Sequence, residues 1–199
     1  EGAGTWIKDY SRYGNHGTLT NSDSDEWITM TGAGTTNFYN PYALDFDGTN
    51  DYITSSTTLP SSEKITLSTW VKYTSSNTNR GIVGRWTSGN AYALITGVSD
   101  GTKLSLTWRV SESNKYSTSS VSTNDGIWHH IAAKYDGATG KIYVDGIERG
   151  SAGVVGTIDQ DTGNVEIGRY SGNNSNAFTG LIDDVRIYNR ALSSSEVES

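Results

Sequence analysis

The residues best suited to chemistry are acidic. Asp45, Asp47, Asn50 and Asp51 crowd around Gly48, and a glycine turn can aim backbone carbonyls at a point shared with neighbouring carboxylates. Such a set suits Ca²⁺, which takes roughly six to eight oxygen ligands. Far along the chain, Asp183 falls in the same alternation as Leu181, Val185 and Ile187. A carboxylate on an apolar strand face is costly to bury unless it is paired or metal-bound. The competing reading is plainer: Asp and Asn are the usual turn formers and accept nearby backbone N–H groups.

A second set is aromatic. Trp86 and Tyr92 flank Ser88-Gly89-Asn90, and Tyr170 precedes the polar run Ser171–Asn176, which contains Asn173. Amphipathic rings beside fixed amides can stack on a sugar and hydrogen-bond its hydroxyls. Aromatics in strands are also ordinary core residues. The pair His129–His130 does not suggest a metal, because adjacent strand residues point to opposite faces. Asn173-Asn174-Ser175 matches a glycosylation acceptor pattern, relevant only in a eukaryotic secretory route.

Catalysis finds little support. Retaining glycosidases need two carboxyl groups about 5 Å apart, and glucanases place them at alternating strand positions. No Glu-x-Asp-x-Glu pattern occurs, Asp183 and Asp184 are adjacent, and there is no cysteine nucleophile or Gly-x-Ser-x-Gly elbow.

The elements that must position these groups are strands. Leu104, Leu106, Trp108 and Val110 alternate with Ser105, Thr107 and Arg109, which is the period of a half-buried strand. Ile65–Tyr73 and Ile127–Tyr135 repeat the pattern, Lys141–Val144 and Val165–Ile167 are shorter copies, and Leu181–Tyr188 is longer. The alternation predicts that Leu67, Val71, Leu106, Ile131, Val144, Ile167 and Val185 are core. Asp-Gly pairs at 47, 100, 125, 136 and 145 punctuate the chain and favour hairpin turns. Residues 112–121 and 150–163 read as loops or edge strands, and residues 20–42 as a long connection packed through Trp27, Phe38, Tyr39 and Tyr42. The one helix signal is a capping box, Ser193 with Glu196.

Composition narrows the function. The chain has 199 residues, 23 glycines and no cysteine, a size that one β-sandwich domain over residues 1–199 accommodates. Its net charge is −7 with Lys and Arg scattered singly, which disfavours nucleic acid and anionic membranes. The same charge suits Ca²⁺ or plain solubility. No apolar run approaches the roughly 20 residues of a membrane span. A start at Glu1 reads as a mature or excised piece.

Six segments then appear in one order: Glu1–Thr5 with Asp9–Ser11 and Gly14–Leu19; Ala43–Ile53; Ile65–Lys72; Trp128–His130 with Lys134–Gly137; Ile142–Gly146; and Gly180–Leu192. In this the chain resembles the bacterial laminin-G-like domains of the concanavalin-A-like lectin and glucanase superfamily, whose members usually have a short strand before the EGxGT motif at which this sequence starts, so that part of an edge strand is either missing or lies in the parent protein. The resemblance implies an all-β antiparallel jelly-roll sandwich, appended to a larger secreted or cell-surface protein. It also implies a structural Ca²⁺ held by the Gly48 carbonyl and Asp183, with Asp47, Asp9 and Asn15 as further candidates. The loops holding Trp86, Asn90, Tyr92, Tyr170 and Asn173 match those that build the ligand site of pentraxin-like relatives. The pentraxin acidic residues are not matched, since Asn173, Asn174 and Asn176 stand in the second loop. The expected function is a non-catalytic module for a glycan or protein ligand, carbohydrate first. The alternative is a structural or adhesive module of a surface, fibre or virion assembly.

Overall fold

A computed structural model describes residues 4–21, 27–29, 42–55, 63–86, 91–160 and 162–197. Within them the chain forms two antiparallel sheets, with strands numbered along the sequence. The first sheet runs, edge to edge, β1 (Trp6–Ile7), β2 (Gly17–Thr20), β5 (Tyr52–Ser55), β14 (Glu166–Ile167), β7 (Gly81–Arg85), β8 (Tyr92–Thr96), β9 (Leu104–Val110) and β10 (Ser113–Thr118). The second runs β13 (Ile147–Gly153), β12 (Thr139–Val144), β11 (His129–Tyr135), β6 (Ile65–Lys72), β15 (Thr179–Tyr188), β4 (Tyr42–Asp47) and β3 (Trp27–Thr29). Non-consecutive neighbours in both sheets make this the expected jelly-roll sandwich.

One apolar core lies between the sheets. Leu67, Val71, Leu106, Ile131 and Val144 are buried in it, while Ile167 and Val185 pack against it partly buried. Trp108 and Tyr135 stack at its centre, ring centroids 5.3 Å apart. Gly140 opposes Trp108 so closely that a Cβ there would lie 2.2 Å from the indole. The Asp145–Gly146 turn between β12 and β13 has positive φ at both residues, the geometry that matches strand twist in a hairpin.

Residues 113–118 are an edge strand of the first sheet, and β13 is the edge of the second. Of the long connection, Trp27 packs on the core, but Phe38 and Tyr39 lie outside the described residues. The capping box forms: Ser193 N–H donates to Glu196 Oε2 at 2.9 Å and Glu196 N–H to Ser193 Oγ at 3.3 Å, opening α1 (Ser194–Val197). The two histidines do diverge. His129 Nδ1 meets Asp145 at 2.8 Å, whereas His130 Nε2 meets Ser68 Oγ at 2.9 Å.

One strand departs from expectation. β15 carries a bulge between Asp183 and Arg186, with Asp184 at φ +48°. A bulge adds a residue and flips the faces beyond it. Asp183 therefore pairs with Trp70 on the outer face of the second sheet, while Val185 and Ile187 turn inward to the core. Asp183 does not share a face with Val185 and Ile187, although it is still buried.

Candidate ligand-binding site

Cross-strand pairing lays a continuous row over the outer face of the first sheet: Trp6, Thr18, Thr54, Glu166, Gly84, Ala93, Thr107 and Tyr116. Partners in such a row share one face. Gly84 and Ala93 are buried at its centre, and a Cβ on Gly84 would come within 2.5 Å of the Ala93 methyl.

Over this centre stand two aromatics from separate connections. Trp86 follows β7, and Tyr170 opens the loop after β14. Their rings meet edge to face, centroids 6.4 Å apart at 74°. With Ala93, Ile95 and Val98 they form a small apolar cluster separate from the main core. Burial first, then the proximity of Tyr116, pushes the Tyr170 phenol above its ordinary value. It stays a neutral hydroxyl, able to donate. Tyr116 lies exposed beside this cluster, two residues from Asn114 on the same face of β10.

The floor between them carries one polar group. Thr107 is 2% exposed, and its Oγ1 makes no hydrogen bond. Its neighbour Ser105, by contrast, pairs its hydroxyl with Thr118 at 2.7 Å. A buried hydroxyl without a partner costs free energy, and this one lies covered beneath the surface.

A buried ion pair fixes the second loop. Glu166 Oε1 accepts from Arg169 Nη2 at 2.7 Å and Nε at 3.0 Å, and Oε2 accepts from the Gly172 N–H at 3.0 Å. The guanidinium lies flat over Tyr52, 3.2 Å from its ring centre, and donates to Asn174 Oδ1 at 2.7 Å. Glu166 and Arg169 were not singled out by sequence reasoning. Their three-residue spacing next to Tyr170 was the available signal.

The predicted ligand set is thus split. Trp86 and Tyr170 come together. Tyr92 does not join them: it points inward to the main core, one residue out of phase with Ala93. Asn173 is exposed and caps a short 3₁₀ turn, its side chain accepting from the Ser175 N–H at 2.9 Å. Asn90 lies outside the described residues.

The predicted calcium ligands are not brought to one point. Thr179 pairs with Asp47 and its side chain packs on Gly48, so Asp183 lies four residues along β15 from that contact, about 13 Å at strand rise. Asp183 Oδ1 instead accepts the Asp184 N–H at 2.7 Å. Asp9 and Asn15 lie before Gly17, at the Ser55 end of β2, whereas Asn21 reaches Asn50 past the other end. The length of β2, about 10 Å, separates the two places. Asp9 folds its own loop, accepting from the N–H groups of Ser11 at 2.8 Å and Asn15 at 2.7 Å. Asp47 and Gly48 do stay together with Asp51, whose Oδ2 accepts the Asp47 N–H at 3.0 Å. Burial pushes the Asp47 carboxyl up, but bonds from Thr49, Asp51 and Asn50 outweigh it and hold the group below its ordinary value. Among the described residues no three His, Asp or Glu side chains gather at one point where they could hold a metal ion.

The family model of the concanavalin A-like lectin/glucanases superfamily with laminin-G-like character matches residues 47–198. The chain belongs to that superfamily. No curated protein matches it. Among solved structures it is similar to domain 4 of AbnA, an extracellular arabinanase from Geobacillus stearothermophilus in complex with arabinotriose. There the identity is 24%, the TM-score 0.68, and the match covers 92% of this chain and 86% of that one. It is also similar to a heptameric pentraxin from Limulus polyphemus, at 21% identity and TM-score 0.62, covering 77% and 78% of the two chains. A third likeness is to the binding domain of botulinum neurotoxin DC in complex with SialylT, at 12% identity and TM-score 0.69. It covers 96% of this chain but 46% of that domain. At these identities the superfamily likeness is one of fold. No helix of the described residues is long and apolar enough to cross a membrane.

Proposed function

We propose that this chain is a non-catalytic carbohydrate-binding module of a secreted or cell-surface protein, with its site on the outer face of the first sheet. One observation carries the reading. Trp86 and Tyr170 meet on the outer face of the first sheet, beside the exposed Tyr116. The exposed Tyr116 ring and the partly exposed Tyr170, whose neutral hydroxyl can donate, suit a sugar ring better than a charged or wholly apolar ligand. The sugar-bound states of the arabinanase domain and the toxin domain support the same class of ligand.

The non-catalytic part rests on Glu166. It is the carboxylate in the row, and it is committed to Arg169 and the Gly172 N–H. Both of its oxygens are taken up by those contacts. A glycan array probed with the intact chain tests the binding reading: a defined set of neutral glycans should be retained. Retention of none would leave the structural or adhesive alternative. Release of reducing sugar above a heat-killed control, abolished by Glu166→Gln, would contradict the non-catalytic reading.

A further inference from the structure

At the other end of the same row lies a second patch with different chemistry. Among the described residues seven large apolar side chains are exposed, and three of them, Trp6, Tyr10 and Tyr13, fall within eight residues. They are 53%, 78% and 64% exposed. Exposed aromatics grouped this closely mark an interaction surface more often than scattered ones do. All three sit on β1 or on the loop that joins it to β2, before the segment matched by the superfamily model.

The patch is also cationic. Lys8 Nζ sits 4.8 Å from the Tyr10 ring centre, and the Arg12 guanidinium 4.9 Å from that of Tyr13, with Nη2 donating to the Tyr13 hydroxyl at 2.8 Å. No ion pair among the described residues involves Arg12. The acidic residue of the loop, Asp9, is turned inward: Oδ1 holds the Ser11 N–H, and Oδ2 holds the Ser11 hydroxyl and the Asn15 N–H. His16 packs on Trp6 at 4.7 Å and accepts the Asp9 N–H through Nδ1, leaving Nε2 as a donor. In a chain of net charge −7, two cations fixed beside outward ring faces form a local reversal of sign.

We infer that the β1–β2 loop is a second binding surface, selective for acidic saccharides that carry carboxylate or sulfate groups. A ring face offers stacking to a pyranose, and the adjacent guanidinium offers a planar fork to its carboxylate. The seating of each cation over a ring favours this ligand over an anionic bilayer. Interfacial segments separate a polar face from an inserted apolar one, and here the two are interleaved at Lys8–Tyr10 and Arg12–Tyr13.

The test is titration of the full chain with oligogalacturonate, with the same oligomer fully methyl-esterified, and with phosphatidylserine-containing vesicles. Oligogalacturonate should bind and weaken with added salt, and the ester and the vesicles should not. Lys8→Gln and Arg12→Gln should each weaken binding about fivefold, and Tyr10→Ala and Tyr13→Ala by a similar factor. All four side chains are on the surface, so circular dichroism melting should match that of the parent. Tyr170→Ala, at the other site, should leave oligogalacturonate affinity unchanged, which separates this surface from the one proposed above. Failure to bind oligogalacturonate, equal binding of the ester, preference for vesicles, or affinity indifferent to Arg12→Gln would each overturn the inference.

Discussion

Trp86 and Tyr170 come from connections more than eighty residues apart in sequence, yet their rings stand edge to face 6.4 Å apart on the outer face of the first sheet. What brings Tyr170 there is its neighbour. Arg169 is clamped between the Glu166 carboxylate and the Tyr52 ring, so the backbone leaving β14 has one direction available, and Tyr170 faces Trp86.

Glu166→Gln should therefore be costly. Glu166 and Arg169 are mostly buried, and removing one partner of such a pair leaves an uncompensated charge, worth about 3 kcal/mol or more. Urea denaturation should show a lower midpoint at unchanged slope. A shift below about 1 kcal/mol would mean that the loop is held by something else.

Leu106→Ala tests the core. Its side chain is fully buried between the sheets, and truncation should cost about 2–5 kcal/mol through lost transfer energy and the cavity left behind. The same denaturation measurement reads it. A near-neutral result would mean that β9 presents its other face to the core.

How much of this was legible in the sequence depends on whether the information was local. β9 could be read because Leu104, Leu106, Trp108 and Val110 alternate with polar residues, and one face is buried in the main core. β8 could not. All five of its residues, Tyr92–Thr96, are buried, because the Trp86–Tyr170 cluster covers the face that would otherwise meet water. Alternation then says nothing about which face is which, and Tyr92 was placed beside Trp86 when it points the other way. The β15 reading failed for a different reason. Strict period two was continued through Asp184, but that residue is in a left-handed conformation, the strand bulges, and Asp183 is left on the outer face. The calcium set compounded this, since it assumed that Gly48 and Asp183 meet across β4 and β15, and the register that separates them is set by long-range pairing.

Asp183→Asn gives that correction a measurement. Because Asp183 lies about 13 Å along the strand from the Thr179 contact with Gly48, the substitution should leave unchanged any difference between melting in chelator and in millimolar Ca²⁺. Differential scanning calorimetry of parent and variant decides it. Loss of a Ca²⁺-dependent rise in Tm in the variant alone would restore Asp183 as a ligand.

The C-terminal cap offers a pH test. Arg190, donating at 2.7 and 2.9 Å, and then Ser193 pull the Glu196 carboxyl from 4.5 down to about 2. A carboxyl depressed in the folded state contributes stability that is present above its unfolded value, near 4.5, and lost as pH falls through the folded one, near 2. Carboxyl-carbon NMR should show Glu196 still ionised at pH 3.5. Titration at the ordinary carboxylate value would mean that the Arg190 contact does not persist in solution.

The central claim, that the outer face between Trp86 and Tyr116 takes a sugar, is tested most directly by tryptophan-fluorescence titration with the best-retained neutral glycan. Parent, Tyr170→Ala and Tyr116→Ala would be compared. The parent signal should saturate. Each tyrosine truncation should weaken binding about tenfold, as expected for a lost stacking surface. A saturating titration with one affinity shared by all three proteins would place the sugar elsewhere on the molecule and contradict the site.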